Sequence, residues 1–174
     1  MTSDAMNQLA RLRVPLGFAC AIVAFWLARP TAASLAVGAV IATAGELLRI
    51  WAAGHIEKGR EITRSGPYRY VRHPLYLGSS LMALGFIIAA RSVAVGVLVG
   101  AYMLITLLAA IRTEEASLDE RFAGEYSAYR SGTASAVERR FSLSRAVANR
   151  EYRSMTGLAA GMIFLYLRAK GLVP

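Results

Sequence analysis

The chain is poor in the residues on which soluble and metal-dependent proteins rely. It has one cysteine, Cys20, and two histidines, His55 and His73. A single cysteine inside an apolar run excludes an intrachain disulfide, a thiolate zinc cluster and a CxxC redox pair, and two histidines leave little from which to build a metal site. Charge is scarce too. Only 18% of the residues are charged, against about 25% in an average soluble protein. What fills the space is apolar: 56% hydrophobic residues and a mean hydropathy of +0.43. The 174 residues suit one domain, and the composition predicts an integral membrane protein.

Long hydrophobic runs are present, and they mark the spans. Charge-free stretches cover 14–28, 30–45, 74–90 and 92–111. A crossing takes about 20 mostly apolar residues. The second run reaches that length if it continues through "ELLRIWAAG", carrying Glu46 and Arg49 near its far end. Arg13 and Arg29 can snorkel to extend the first. Spans are therefore expected at about 14–29, 31–54, 74–90 and 92–112. A fifth run, within 155–172, reads as a short span or as a helix lying in the interface. The expected class is an all-α membrane bundle of four to five helices. The first run leads into Arg29-Pro30 without a small-residue cleavage site, which argues for a retained helix rather than a signal peptide.

Bases alternate between loops. Two precede the first span (Arg11, Arg13) and one follows it. Five lie between the second and third (Lys58, Arg60, Arg64, Arg69, Arg72), one follows the third, and eight lie from Arg112 to Arg153. This pattern predicts a cytoplasmic N-terminus, with both long polar segments on the cytoplasmic side. Retention of positive loops and attraction to anionic lipid account for the net charge of +9 without a nucleic-acid partner.

Those two segments hold the unusual residues. In "SGPYRYVRHPLYLG", Ser65-Gly66-Pro67 reads as a turn and His73-Pro74 as a helix start, with Pro74 where a missing N–H is harmless. A helix N-terminus there favours an anionic group. The other segment, "IRTEEASLDERFAGEYSAYR", reads as a helix continuing out of the fourth span, with Ile111, Leu118, Phe122, Tyr126 and Tyr129 on one face. Glu114 and Glu115 stand at its exit from the bilayer. They are expected either to pair with Arg112, Lys58 or Arg60, or to form an acidic site opposite the His73 cluster. His73 has a plainer reading as a helix cap, Tyr70 as an interfacial aromatic, and His55 as an anchor of the second span. Glu46 and Arg49, three apart, are expected to neutralise each other.

"GPYRYVRHPLYLG", followed after a helical hairpin by "EEASLDERFAGEYSAY", resembles the isoprenylcysteine carboxyl methyltransferase and phospholipid methyltransferase superfamily of integral membrane enzymes. The resemblance covers about residues 45 to 130 and implies S-adenosylmethionine held between the two cytoplasmic segments, facing a tunnel open to the lipid. It carries cofactor contacts to Arg60, Glu61, Ile62 and Thr63 in the approach loop, Tyr68 in the turn, His73, Pro74, Leu75 and Tyr76 in the box, and Glu114 in the acidic motif. The chain departs from the pattern at Ala110, where relatives that methylate prenylated proteins place an arginine, and at Ala123-Gly124, where a Phe-Gly pair is usual.

The resemblance implies methyl transfer to a lipophilic, lipid or prenylated acceptor at the membrane interface. For that reaction Arg112 is the candidate to hold an acceptor carboxylate or phosphate. Glu115 is the candidate to assist deprotonation of an amine. A phospholipid amine N-methyltransferase, an NADPH-dependent membrane reductase and a non-enzymatic membrane protein are the alternatives.

Overall fold

The computed structural model describes residues 3–57, 61–122, 124–135 and 137–173, with side chains from residue 15 onward. It is all-helical among those residues. In order come α1 (Ser3–Leu27), α2 (Ala32–Ala53), a 3-10 turn (Gly66–Arg69), α3 (Pro74–Ala90), α4 (Val93–Arg121), α5 (Glu125–Arg130), α6 (Leu143–Ala148) and α7 (Tyr152–Ala169). Of the described helices, α2 and α4 are each long and apolar enough to cross a membrane, and Pro15–Leu27 and Pro74–Ala90 are shorter apolar helices.

Local chemistry sets the boundaries. Thr31 and Ser34 cap α2 reciprocally: Thr31 Oγ1 accepts from the Ser34 N–H at 3.2 Å and Ser34 Oγ from the Thr31 N–H at 2.9 Å. Pro74 opens α3, and Arg91, left-handed at φ 48°, closes it. Ser92 then caps α4. At about 1.5 Å per residue, α4 extends for roughly 43 Å, more than a hydrocarbon core needs. Its apolar part ends at Ile111, so Glu114 and Glu115 lie beyond that part.

The α2–α3 contact is the tightest in the molecule, because four glycines let the backbones touch. A Cβ on Gly38 would come within 2.4 Å of Gly85 O, and one on Gly45 within 2.6 Å of Gly78 O. Such close approach is how helices pack where lipid supplies no hydrophobic drive. One end of the bundle is closed. There Ala24, Ala28, Ala89, Ala90, Val95 and Leu165 are buried together, ringed by Phe25 and Phe86 among others. Ser34 Oγ donates to Ala89 O at 3.0 Å and the Arg29 N–H to Ala90 O at 2.8 Å.

α7 runs from the opposite end to this one. At its start, Glu151 accepts from Arg49 Nε at 2.6 Å and Ser154 Oγ donates to Glu46 at 2.7 Å. At its finish, Arg168 donates to the carbonyls of Ala28 and Trp26, each at 2.8 Å. The expected Glu46–Arg49 pair forms as a loose contact at 3.9 Å, and Arg49 makes closer contacts beyond it to Glu151, Ser79 and the Leu75 carbonyl. The reason is tertiary: a fifth long helix brings a better-placed carboxylate than the neighbour three residues away.

Candidate functional site

Both polar segments meet at the open end of the bundle. The 3-10 turn and the start of α3 come from one, and the end of α4 with α5 from the other. The expected helix out of the fourth apolar run continues as far as Arg121 and is then interrupted before Glu125. α4 stops at Arg121, and Gly124 takes φ +81°, a conformation open to glycine at little cost. Beyond this break Tyr126 on α5 is buried and the Tyr129 hydroxyl donates to the Tyr68 carbonyl at 2.8 Å.

His73 stands in the capping position of α3, yet its side chain makes no cap. Its Nε2 instead meets Glu115 Oε1 at 3.1 Å, which joins the two segments. An ionised carboxylate only accepts, so Nε2 carries the hydrogen and Nδ1 remains the basic nitrogen. Arg72 adds a looser contact to the same oxygen at 3.6 Å. The His73 hydrogen bond, more than any other influence, holds the Glu115 carboxyl below the usual range. The Tyr76 ring lies 5.7 Å from the His73 ring. Glu115 thus pairs with neither Arg112, Lys58 nor Arg60 in any described contact; Lys58 and Arg60 lie outside the described residues. Arg112 is exposed, with no ion pair among the described residues.

Behind this pair is a second layer of buried polar groups. Ile62, Thr63 and Tyr68 are all buried, and the Thr63 and Tyr68 hydroxyls have no hydrogen-bond partner among the described residues. Burial first, and then the nearby Glu114 carboxylate, raise the Tyr68 phenol. Tyr126 is pushed up to about 12 by burial and then by the Glu115 carboxylate that it faces. Glu114 itself forms no ion pair among the described residues. Desolvated hydroxyls without partners are costly, and that of Tyr68 lies near the Glu114 carboxylate.

The remaining expected contacts are divided. Glu61 is engaged by Arg139 Nη2 at 2.8 Å. Pro74 is buried, and the Leu75 carbonyl accepts from Arg49 at 3.4 Å, which anchors the start of α3 to α2. Arg60 lies outside the described residues. Two residues that the sequence reading passed over as structural are Tyr126 and Tyr129. Their place in the period was visible, but the break before them at Gly124 was not. Tyr70 is 79% exposed and His55 buried, and His55 Nδ1 donates to the Trp51 carbonyl at 2.9 Å, an anchoring bond within one turn.

The donor set suits a ligand that carries hydroxyls, an amino group and a carboxylate. Unpartnered Thr63 and Tyr68 hydroxyls and the unpaired Glu114 can take those groups, with the Tyr76 ring beside them for a flat or cationic moiety. Residues 12–125 match the model of a family described as phospholipid methyltransferase. No curated protein and no solved structure matches the chain.

Proposed function

Because the chain belongs to the phospholipid methyltransferase family, whose members are integral to membranes, we propose that it is a single-domain, S-adenosylmethionine-dependent enzyme that methylates a lipid-borne acceptor. The observation that carries this reading is the junction of the His73 box with Glu115, backed by the buried Tyr68 hydroxyl near Glu114 and the buried Thr63 hydroxyl of the approach loop. S-adenosylmethionine would bring a methyl group already activated on a sulfonium, so the protein's work is to position and to exclude water. Glu114 accepts from hydroxyl or amino groups of the cofactor. Thr63 and Tyr68 close the remaining polar positions, and the Tyr76 ring packs near the cationic centre.

The acceptor we favour is an amine headgroup. An ammonium has no lone pair with which to attack, so a proton must leave first. His73 Nδ1 is a basic nitrogen whose ring is fixed by Glu115, and the family's description is of phospholipid substrates. A prenylated carboxylate is the second reading. It needs no base, and Ala110 stands where relatives acting on prenylated proteins have an arginine. Family membership supports methyl transfer over the reductase reading.

We place spans at α1, α2, α3, α4 and α7, with the site end cytoplasmic, on the strength of the charge alternation and of α7 running the length of the bundle. Tags inserted after Arg64 and after Arg140 should both report cytoplasmic. The assay for function supplies S-adenosylmethionine labelled in its methyl group to membranes with an aminophospholipid or a farnesylcysteine acceptor. Label in the amine lipid, reduced at least tenfold by His73→Ala, is the expected result. Label in the carboxyl ester alone would transfer the assignment to the second reading, and label in neither would end the methyltransferase proposal.

A further inference from the structure

The face of α2 turned away from α3 is bare and apolar. Val40 is 71% exposed, Leu47 61% and Trp51 42%. With Ala33 and Ala44 they recur at 33, 40, 44, 47 and 51, one side of a helix. Trp51, the last of this stripe, is also a wall of a cleft of ≈ 440 Å³ at the site end of the bundle, walled further by Tyr70, His55, Arg69, Arg139 and Arg140. The cleft shares no residue with the His73–Glu115 group. Tyr68 turns inward from the 3-10 turn, whereas Tyr70, just beyond it, faces outward.

Its cations are unevenly paired. Arg139 is fixed by Glu61 at 2.8 Å and Glu57 at 3.5 Å. Among the described residues Arg69 pairs with Glu138 alone, at 3.5 Å, on a side chain 91% exposed. Arg140 has no acid partner among the described residues. The floor is rigid. Buried His55 packs against Gly66, where a Cβ would come within 2.6 Å of Nδ1, and Gly66 itself sits at φ +57°.

We propose that this cleft seats the phosphate of a tightly held anionic phospholipid whose acyl chains lie along the α2 stripe, a bound lipid distinct from the methyl acceptor. Arg69 and Arg140 supply guanidinium forks that match phosphate geometry. Trp51 and Tyr70 belong to the interfacial zone where headgroups sit. The stripe leads from the cleft into the depth where acyl chains lie, which a site for a soluble anion would not need.

The full chain in an uncharged detergent, offered phosphatidylglycerol or phosphatidylcholine and read by native mass spectrometry, tests this. The wild type should retain phosphatidylglycerol preferentially, the Arg69→Gln/Arg140→Gln double variant should bind it at least tenfold more weakly at an unchanged melting midpoint, and Trp51→Ala should also weaken it. Glu138→Gln, at a side chain too exposed to threaten folding, should tighten binding severalfold by freeing Arg69. Inorganic phosphate at matched concentration should not displace the lipid. Equal retention of the two lipids, no response to Glu138→Gln, displacement by inorganic phosphate, or a lipid-free dimer cross-linked through position 51 would each overturn the proposal.

Discussion

Glu114 and Glu115 are adjacent, yet their surroundings give them different work. Glu115 is bound to a histidine across the junction of two segments, whereas Glu114 faces a buried phenol and makes no ion pair among the described residues. Glu114→Gln keeps the shape and removes the charge. If Glu114 accepts a charge-assisted bond worth about 1.5–3 kcal/mol, affinity for S-adenosylmethionine falls by roughly tenfold to a hundredfold. Calorimetric titration of both proteins in one detergent measures this, and an unchanged dissociation constant removes Glu114 from the site. Glu115 makes a pH prediction. Its folded pKa lies below the ordinary value of 4.5, so its stabilising contribution is complete above about pH 4.5 and is lost as pH falls through the lowered folded value. The melting difference between wild type and Glu115→Gln should shrink as pH falls below about 4.5 and the carboxyl is protonated. The contribution is modest, because the group is partly exposed and screened. A difference that persists undiminished well below about pH 4.5 would contradict the assignment.

At the scale of elements, α2 and α3 form the unit on which the site rests, since the box opens α3 and Arg49 of α2 holds the Leu75 carbonyl. Their contact depends on the absence of side chains. A Cβ on Gly85 would lie 2.5 Å from the Ala42 nitrogen and from the Gly38 oxygen, and backbone atoms cannot swing aside. Gly85→Ala is therefore expected to destabilise by about 1–3 kcal/mol through overpacking. Gly100→Ala in α4, where a Cβ meets nothing within 4 Å, should be neutral or slightly stabilising. Unfolding in mixed micelles compares the two, and equal effects would show that the close approach is not what holds α2 to α3.

Across the whole molecule, Arg49 binds α2, α3 and α7 at the site end, and Arg168 closes α7 onto α1 at the other. Arg49→Leu leaves the buried carboxylates of Glu46 and Glu151 without their cation. Loss of one partner of a buried pair costs about 3–5 kcal/mol. The variant should show both a lower melting midpoint and weakened cofactor binding, because the start of α3 loses its tie. Loss of stability with binding intact in the folded fraction would separate the anchor from the site.

Composition and runs of apolar residues determined the all-helical class and the extents of α2 and α3, because a helix in lipid must satisfy its own backbone and its length is written in uninterrupted hydrophobicity. The R-H-P box and the paired glutamates were legible too, since local chemistry put proline at a helix start and the family pattern singled out both motifs. What the linear chain could not decide were the partners. Arg49 added Glu151 to Glu46 and lies nearer to it, Glu115 chose His73 and Arg72 over Arg112, and Gly124 broke a period that looked continuous through Tyr129. Spacing reports which residues share a face of one helix. Which carboxylate comes nearest a given cation is set by how helices distant in sequence pack, and that is information only the tertiary structure holds.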